Sequence, residues 1–366
     1  MADPEVAPAP ADPMMAPVFR IARRVFLLAA LVGAVAFPFV FSNPAVTSIA
    51  VFTMLFVGSA TAWNMFSGYT GYMALGNAVF YGSGAYFMAN ITSHLALKGS
   101  VALFALVPLA GLFAGLVAIP VGWLALRTRR HTFVVITIAI FFIFQLLAYN
   151  LTAVTNGSSG MELPIPPWDA IAYNDYFYMA ALVVALVAIA LSWSVKRSGF
   201  GLELLAIRDD EDRARGLGVR THRVKLATFV LTGFVTGMCG AIYAYYLGSI
   251  YPPFAFEAIF DVTIALMAFL GGLGSVSGPV IGALIIEPVQ QYLTLQFTGG
   301  GLSLILFGVL FLVVIRFLPD GIVPSLGALL RNRLRQRGAP GVGPPGPVED
   351  LSRPSGDPQV AGGATR

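Results

Sequence analysis

The sequence predicts an all-α, polytopic transmembrane bundle, and three observations carry that prediction. Of the residues, 57% are hydrophobic and only 11% are charged, against about 25% charged in an average soluble domain. The apolar residues come in long runs, matching the roughly 20 residues that a helix needs to cross a hydrocarbon core. The cations fall on alternate loops, as expected where cationic loops are retained on the cytoplasmic side.

Taken in order, residues 1–19 are rich in Pro and Ala, lack the basic start of a cleavable signal and read as a disordered tail. Arg20, Arg23 and Arg24 precede a first span at 25–41, with Pro38 near its outer end. Further spans are expected near 45–66, 75–97, 101–126, 132–150, 177–195, 226–248, 257–272, 277–297 and 302–318, about ten in all, within a transmembrane domain over 20–322. With the N-terminus inside, the interior loops are 127–131, 196–225 and the tail from Pro319, so both termini are cytoplasmic. Lys98 is then the only external cation of 22 Lys and Arg, and the external loop 151–176 carries Glu162, Asp169 and Asp175. Shifting the count by one span would destroy this asymmetry. Residues 323–366 form a cytoplasmic tail: a basic cluster at 331–337, then a disordered Gly/Pro-rich stretch. The cluster suits an orientation signal or an anchor on anionic membrane lipid. The net charge of +4 belongs to this loop asymmetry and gives no reason to expect nucleic-acid binding.

The densest run of charge lies in the interior loop 196–225, over Gly201–Val219. At helical spacing Leu204, Ile207 and Ala214 share one side. Asp209 and Arg213, and Glu211 and Arg215, stand four apart with the acid first, the favourable order for a helix pair. Gly216 and Gly218 supply a stop. A short, charged amphipathic helix cannot lie in lipid, so it is expected to dock on something in the cytosol.

Two hydrophobic stretches are interrupted by glycine. The first, 67–84, contains Gly71, Gly76, Gly82 and Gly84; the second, 271–283, contains Gly271, Gly272, Gly274, Gly278, Pro279 and Gly282. Such breaks are tolerated at membrane depth against protein or a water-filled cavity, and in transporters they form substrate and ion sites. Close helix packing through small residues, as expected at Gly111/Gly115 and Gly233/Gly237, is the other reading. Two breaks in two halves hint at an internal repeat, without residue-level self-similarity to support it.

Carboxylates in apolar spans are costly and often functional. Glu257 and Asp261, four apart, are expected on one face near the outer surface, either hydrated there or lining a translocation path with Asn77 and Tyr81; Glu287 falls mid-span beside Pro288. Titration of one of these three would suit a stand-alone, proton-coupled secondary transporter. Tyr243, Tyr245, Tyr246 and Tyr251 fit an interfacial belt. No catalytic residue, cofactor site or metal site is expected. Cys239 is the sole cysteine, and His94, His131 and His222 are far apart in the chain. The lysines, Lys98, Lys196 and Lys225, lack the context of a nucleotide-binding loop.

Four blocks in order resemble the LivM-type (LivM/LivH) permeases of ABC importers for branched-chain amino acids, a family that includes urea and amide permeases. They are GYMALGNAVFYGSGAY (71–86), LLAIRDDEDRARGLGV (204–219), GGLGSVSGPVIGA (271–283) and FLPDGI (317–322). The resemblance covers about 45–322. It implies a membrane-spanning permease subunit without enzymatic activity, in a bacterial inner membrane, translocating amino acids or small amides. It also implies a cytoplasmic ABC ATPase dimer, a second homologous, LivH-like permease chain and an external substrate-binding protein as partners. Ala206, Arg208, Asp209, Glu211 and Gly218 carry over as the ATPase-coupling segment. Asn77 and Ala74 depart from the usual His and Ser of the first block, and the acidic residue usual near Phe144 or Gln145 is missing; both changes bear on substrate.

Overall fold

In the computed structural model the described residues are 15–296, apart from positions 42 and 96, together with 305, 308, 309, 312, 316 and 321–325. Most of the span expected at 302–318, the basic cluster 331–337 and the tail 338–366 lie outside them. Helices form where long apolar runs leave backbone groups no partner but their own chain. α1 (Met15–Val40) begins inside the stretch read as a tail and is followed by α2 (Pro44–Trp63) and α3 (Ala78–His94). Next come α4 (Val107–Ala125), α5 (Arg130–Asn150), the single turn α6 (Thr152–Thr155) and α7 (Ala170–Arg197). The short pair α8 (Gly199–Asp209) and α9 (Glu211–Gly216) leads into α10 (Thr221–Leu247). The turn α11 (Pro252–Ala255), α12 (Ala258–Gly271) and α13 (Gly278–Gln296) complete the bundle. The only strands among the described residues, β1 (Met161–Glu162) and β2 (Ser249–Ile250), pair antiparallel.

Six helices are long and apolar enough to cross a membrane: Pro44–Gly68, Val101–Ala125, α5, α7, α10 and Pro252–Gly271. Helices also occupy the expected positions 75–97 and 277–297. However, α3 has only 17 residues, and α13 carries Glu287, Gln290 and Gln291 along its middle. The chain is an all-α membrane protein, and six is the number of such helices among its described residues.

α10 is the centre, lying against α2, α3, α4 and α7. Small residues permit this. Gly237 meets Ala114, Gly111 meets Phe234 and Met238, and Gly84 sits directly against the Gly237 backbone. A hydroxyl ties the centre further, since Thr232 Oγ1 donates to Ala62 O at 2.9 Å. Outer faces stay apolar and exposed, as at Leu112 and Leu116 of α4 or Phe142, Ile143 and Leu146 of α5, which suits lipid. The tyrosines near the end of α10 do not form a belt. Tyr245 is fully buried and bonds the Ser100 backbone, and Tyr246 bonds Ser48 and Asn174. Tyr251 alone of the four is exposed at a helix-free position.

Candidate functional site

The charged segment folds as a bent foot. Asp210 is extended (φ −154°, ψ 109°), and its carboxylate accepts from the Asp212 and Arg213 amides, starting α9 afresh. Capping of this kind satisfies amides that a helix start leaves without partners. These amide bonds, that from Arg213 first, hold the Asp210 carboxyl below its usual range. The break changes the ion pairs: Arg213 pairs with Asp210 at 3.0 Å instead of Asp209, while Glu211 pairs with Arg215 at 3.2 Å as expected. Leu204, Ile207 and Ala214 are buried on one side. Helix α9 stops at Gly216, and Gly218 has φ +91°.

The inner side of the foot is fastened to the first glycine-rich break, and the second is held from the end of α7 just ahead of the foot. Ahead of the first break, α2 ends in a π-helical turn, Asn64–Gly68, and Gly71 has φ +72°. Arg208 Nη1 donates to Gly68 O at 2.9 Å. Arg130 Nη2 gathers the Ile207 and Arg208 carbonyls at 2.9 and 2.6 Å. Tyr72 Oη donates to Glu211, which also accepts from Lys225 Nζ at 2.8 Å. Lys225 lies 4.2 Å from the Tyr72 ring centre. Burial pushes the Glu211 carboxyl up, but the bonds from Lys225 and Tyr72, with the Lys225 and Arg215 charges, outweigh it and leave it below its usual 4.5. The second break is held by Lys196 Nζ, which donates to Gly274 O at 2.6 Å. The breaks are also joined to each other. Asn64 Nδ2 donates to Ser275 O and Asn64 Oδ1 accepts from Gly274 N, both at 2.8 Å. The outer side of the foot exposes Leu202 (67%) and Leu217 (86%), with Asp209, Asp212, Arg213 and Gly218 around them.

Beyond the first break the chain re-enters helix at α3, whose start is capped from another element. Asp261 Oδ1 accepts from Asn77 N at 2.8 Å and Oδ2 from Ala78 N at 3.3 Å. Asp261 is 2% exposed, so it is neither hydrated nor at a surface. Glu257 does not share its face, because it precedes α12 with an extended backbone (φ −107°, ψ 122°). Glu257 instead stands exposed beside a cavity of about 160 Å³ that Tyr81, Tyr243, Glu287, Gln290 and Gln291 also line. The Tyr81 ring packs at a tilt against Phe260 and Tyr243, with ring centres 4.4 and 5.3 Å apart. Among the described residues no group of three or more His, Cys, Asp or Glu could hold a metal ion.

The family model for the branched-chain amino acid transport system permease component matches residues 45–315. The chain belongs to this family. LivM, the permease protein of the high-affinity branched-chain amino acid transport system of Escherichia coli (strain K12), is 27% identical over 334 residues, 83% of this chain and 76% of LivM. LivM of Salmonella typhimurium is likewise 27% identical, over 86% of this chain and 78% of its own length. The autoinducer 2 import system permease protein LsrC of Salmonella typhi is 29% identical over 51% of this chain and 52% of its own. No solved structure gives a significant match.

In this permease the sequence-derived residues separate into distinct places. Asp209 and Gly218 lie on the outer side of the foot, whereas Arg208 and Glu211 form its inner fastening and Ala206 packs on the core. Tyr81 and Glu257 line the cavity, while Asn77 and Asp261 form the α3 cap. Of the glycines, Gly71, Gly272 and Gly274 adopt positive φ. Gly76, Gly82, Gly84, Gly271, Gly278 and Gly282 mark close approaches of neighbouring chain, the packing reading, and Pro279 opens α13. Sequence reasoning missed Lys225, Tyr72, Arg130 and Lys196 at the foot. It also missed Gln290 and Gln291, although their spacing of three and four from Glu287 marks a shared helix face.

Proposed function

We propose that this permease is a subunit of an ATP-driven importer whose foot, residues 199–220, docks on a cytoplasmic ABC ATPase dimer. Its partners on this reading are that dimer, a second homologous, LivH-like permease chain and an external substrate-binding protein. The membrane domain has about ten spans in the bacterial inner membrane, with both termini cytoplasmic. Its substrates are branched-chain or other amino acids, or small amides, and ATP hydrolysis belongs to the partner.

The observation that carries the reading is the two-sidedness of the foot. Its outer side mixes two exposed leucines with charge, and its inner side is bonded to Gly68 and Tyr72 at the first break, which Asn64 ties to the second, where Lys196 at the end of α7 also holds Gly274. Motion imposed on the outer side is therefore delivered to the backbone at both breaks. The breaks, joined through Asn64, move α3, α12 and α13, which border the cavity. Paired substitution Asp209→Lys with Leu217→Glu tests this, because neither side chain contributes to the inner fastening. Expected is loss of ATPase co-purification and of uptake, with an unchanged elution profile of the permease. Normal uptake with the ATPase still bound contradicts the proposal.

A further inference from the structure

The cavity between α3, α10, α12 and α13 has an unmet chemical demand. Glu287 is 1% exposed, and its Oε1 accepts from Gln291 Nε2 at 2.9 Å. Its Oε2 is buried without a hydrogen-bond partner among the described residues, and so is Gln290 Oε1 one turn further on. Gln290 Oε1 is an acceptor, and Glu287 Oε2 is one when the carboxyl is ionised. A buried acceptor left unbonded costs about 1–3 kcal/mol, more if it is charged. Such groups are retained where something else supplies the donor.

The rest of the lining narrows the donor. Glu257 stands at the same cavity, and among the described residues no Lys, Arg or His lines it, so the described wall carries acidic groups without a countercharge. Tyr81 and Tyr243 form an aromatic side with ring centres 5.3 Å apart, a surface that attracts a cation over its faces. Among the described residues no group of three or more His, Cys, Asp or Glu stands close enough to hold a metal ion, so a hard cation, which takes six or more oxygens, is the poorer fit. The space, about 160 Å³, is far above the roughly 10–15 Å³ that admits one water. Acceptors, uncompensated acid and aromatic faces together fit a group that is cationic, carries N–H and is attached to an apolar body.

We propose that this cavity binds an organic ammonium ion, with Glu287 and Gln290 accepting its N–H groups and Glu257 at the mouth drawing it in. The inference rests on the permease reading and gives the chemistry by which the path holds its cargo: the charged nitrogen is recognised here, within the membrane domain.

The test is thermal stabilisation of the full purified chain by three probes of similar size: isopentylammonium, 4-methylpentanamide and 4-methylpentanoate. Expected is saturable stabilisation by the ammonium, with the amide and the carboxylate at least about tenfold weaker, and about tenfold loss of ammonium affinity in Glu287→Gln. Val289→Ala, on the exposed side of α13, leaves the response unchanged. Glu257→Gln weakens the ammonium response without entering the buried core, and serves if Glu287→Gln does not fold. The proposal is overturned by equal response to amide and ammonium, by no saturable response to ammonium, or by unchanged affinity in both glutamate variants. A wild-type permease that ignores ammonium yet co-purifies with its ATPase refutes this site alone, whereas a wild-type permease that binds ammonium yet co-purifies with no ATPase refutes the docking reading alone.

Discussion

Glu211→Ala removes the acceptor at the centre of the foot's inner fastening, and the structure sets the size of the loss. The Lys225 side chain is 2% exposed and that of Glu211 17%. Removing the carboxylate strands an ammonium inside protein, which costs about 3–5 kcal/mol for a buried pair. Residual exposure of Glu211 and the Tyr72 ring beside Lys225 place this loss near about 3 kcal/mol. Arg215 adds little, because its side chain is 63% exposed and pairs of that kind contribute about 0–1 kcal/mol. Lys225→Met alone is milder, since Glu211 keeps Tyr72, Arg215 and some solvent. The double variant removes both charges, and replacing a buried pair by apolar groups is often neutral. Thermal denaturation of the detergent-purified chain, followed by loss of the monodisperse peak, reads the order. Expected is Glu211→Ala least stable, the double variant clearly more stable than it, and Lys225→Met in between or close to wild type. A double variant as unstable as the sum of the single losses would refute the argument, because the two residues would then act independently.

Other outcomes follow from the same geometry. Since the Glu211 carboxyl lies below its usual 4.5 in the folded chain, its stabilisation is complete above about pH 4.5 and is lost as pH falls through the lowered value. Melting of wild type minus Glu211→Gln should therefore show a constant difference from pH 8 to 5 and a shrinking one below. Asp261→Ala leaves the Asn77 and Ala78 amides uncapped, a loss of about 2 kcal/mol or more. Asp261→Asn keeps an acceptor and should melt nearer to wild type. Gly84→Ala forces a methyl group onto the Gly237 backbone and should destabilise by about 1–3 kcal/mol. By contrast Gly216→Ala, with open space at its Cβ, should melt like wild type.

Much of the fold could be read from the chain because lipid permits so few solutions. Among the described residues helices occupy the apolar runs, and the charged foot folds between α7 and α10, with Leu204, Ile207 and Ala214 on its buried side. The bend at Asp210 escaped a reading based on helical period. Its signal was local: an Asp followed by Glu211 and Asp212 in the first turn, with Arg213 and Arg215 behind, a helix start rather than a helix middle. The fastening of the foot could not be read in this way. Arg208 and Gly68 are 140 residues apart and Lys196 and Gly274 are 78 apart, and nothing in either neighbourhood specifies the other. The acidic pair 257 and 261 misled for a related reason. Spacing of four gives a shared face only inside a helix, and Glu257 stands just outside one.

The central claim, that the outer side of the foot is a cytoplasmic docking surface, has a direct measurement. Cys239 is the sole cysteine and is buried, so Leu217→Cys introduces one reactive thiol at a residue 86% exposed. Labelling with a membrane-impermeant maleimide is compared in right-side-out and inside-out vesicles, with and without the ATPase co-expressed. The account predicts labelling only in inside-out vesicles, and its suppression when the ATPase is present. Labelling from the outside, or labelling from the inside that the ATPase leaves unchanged, would contradict it.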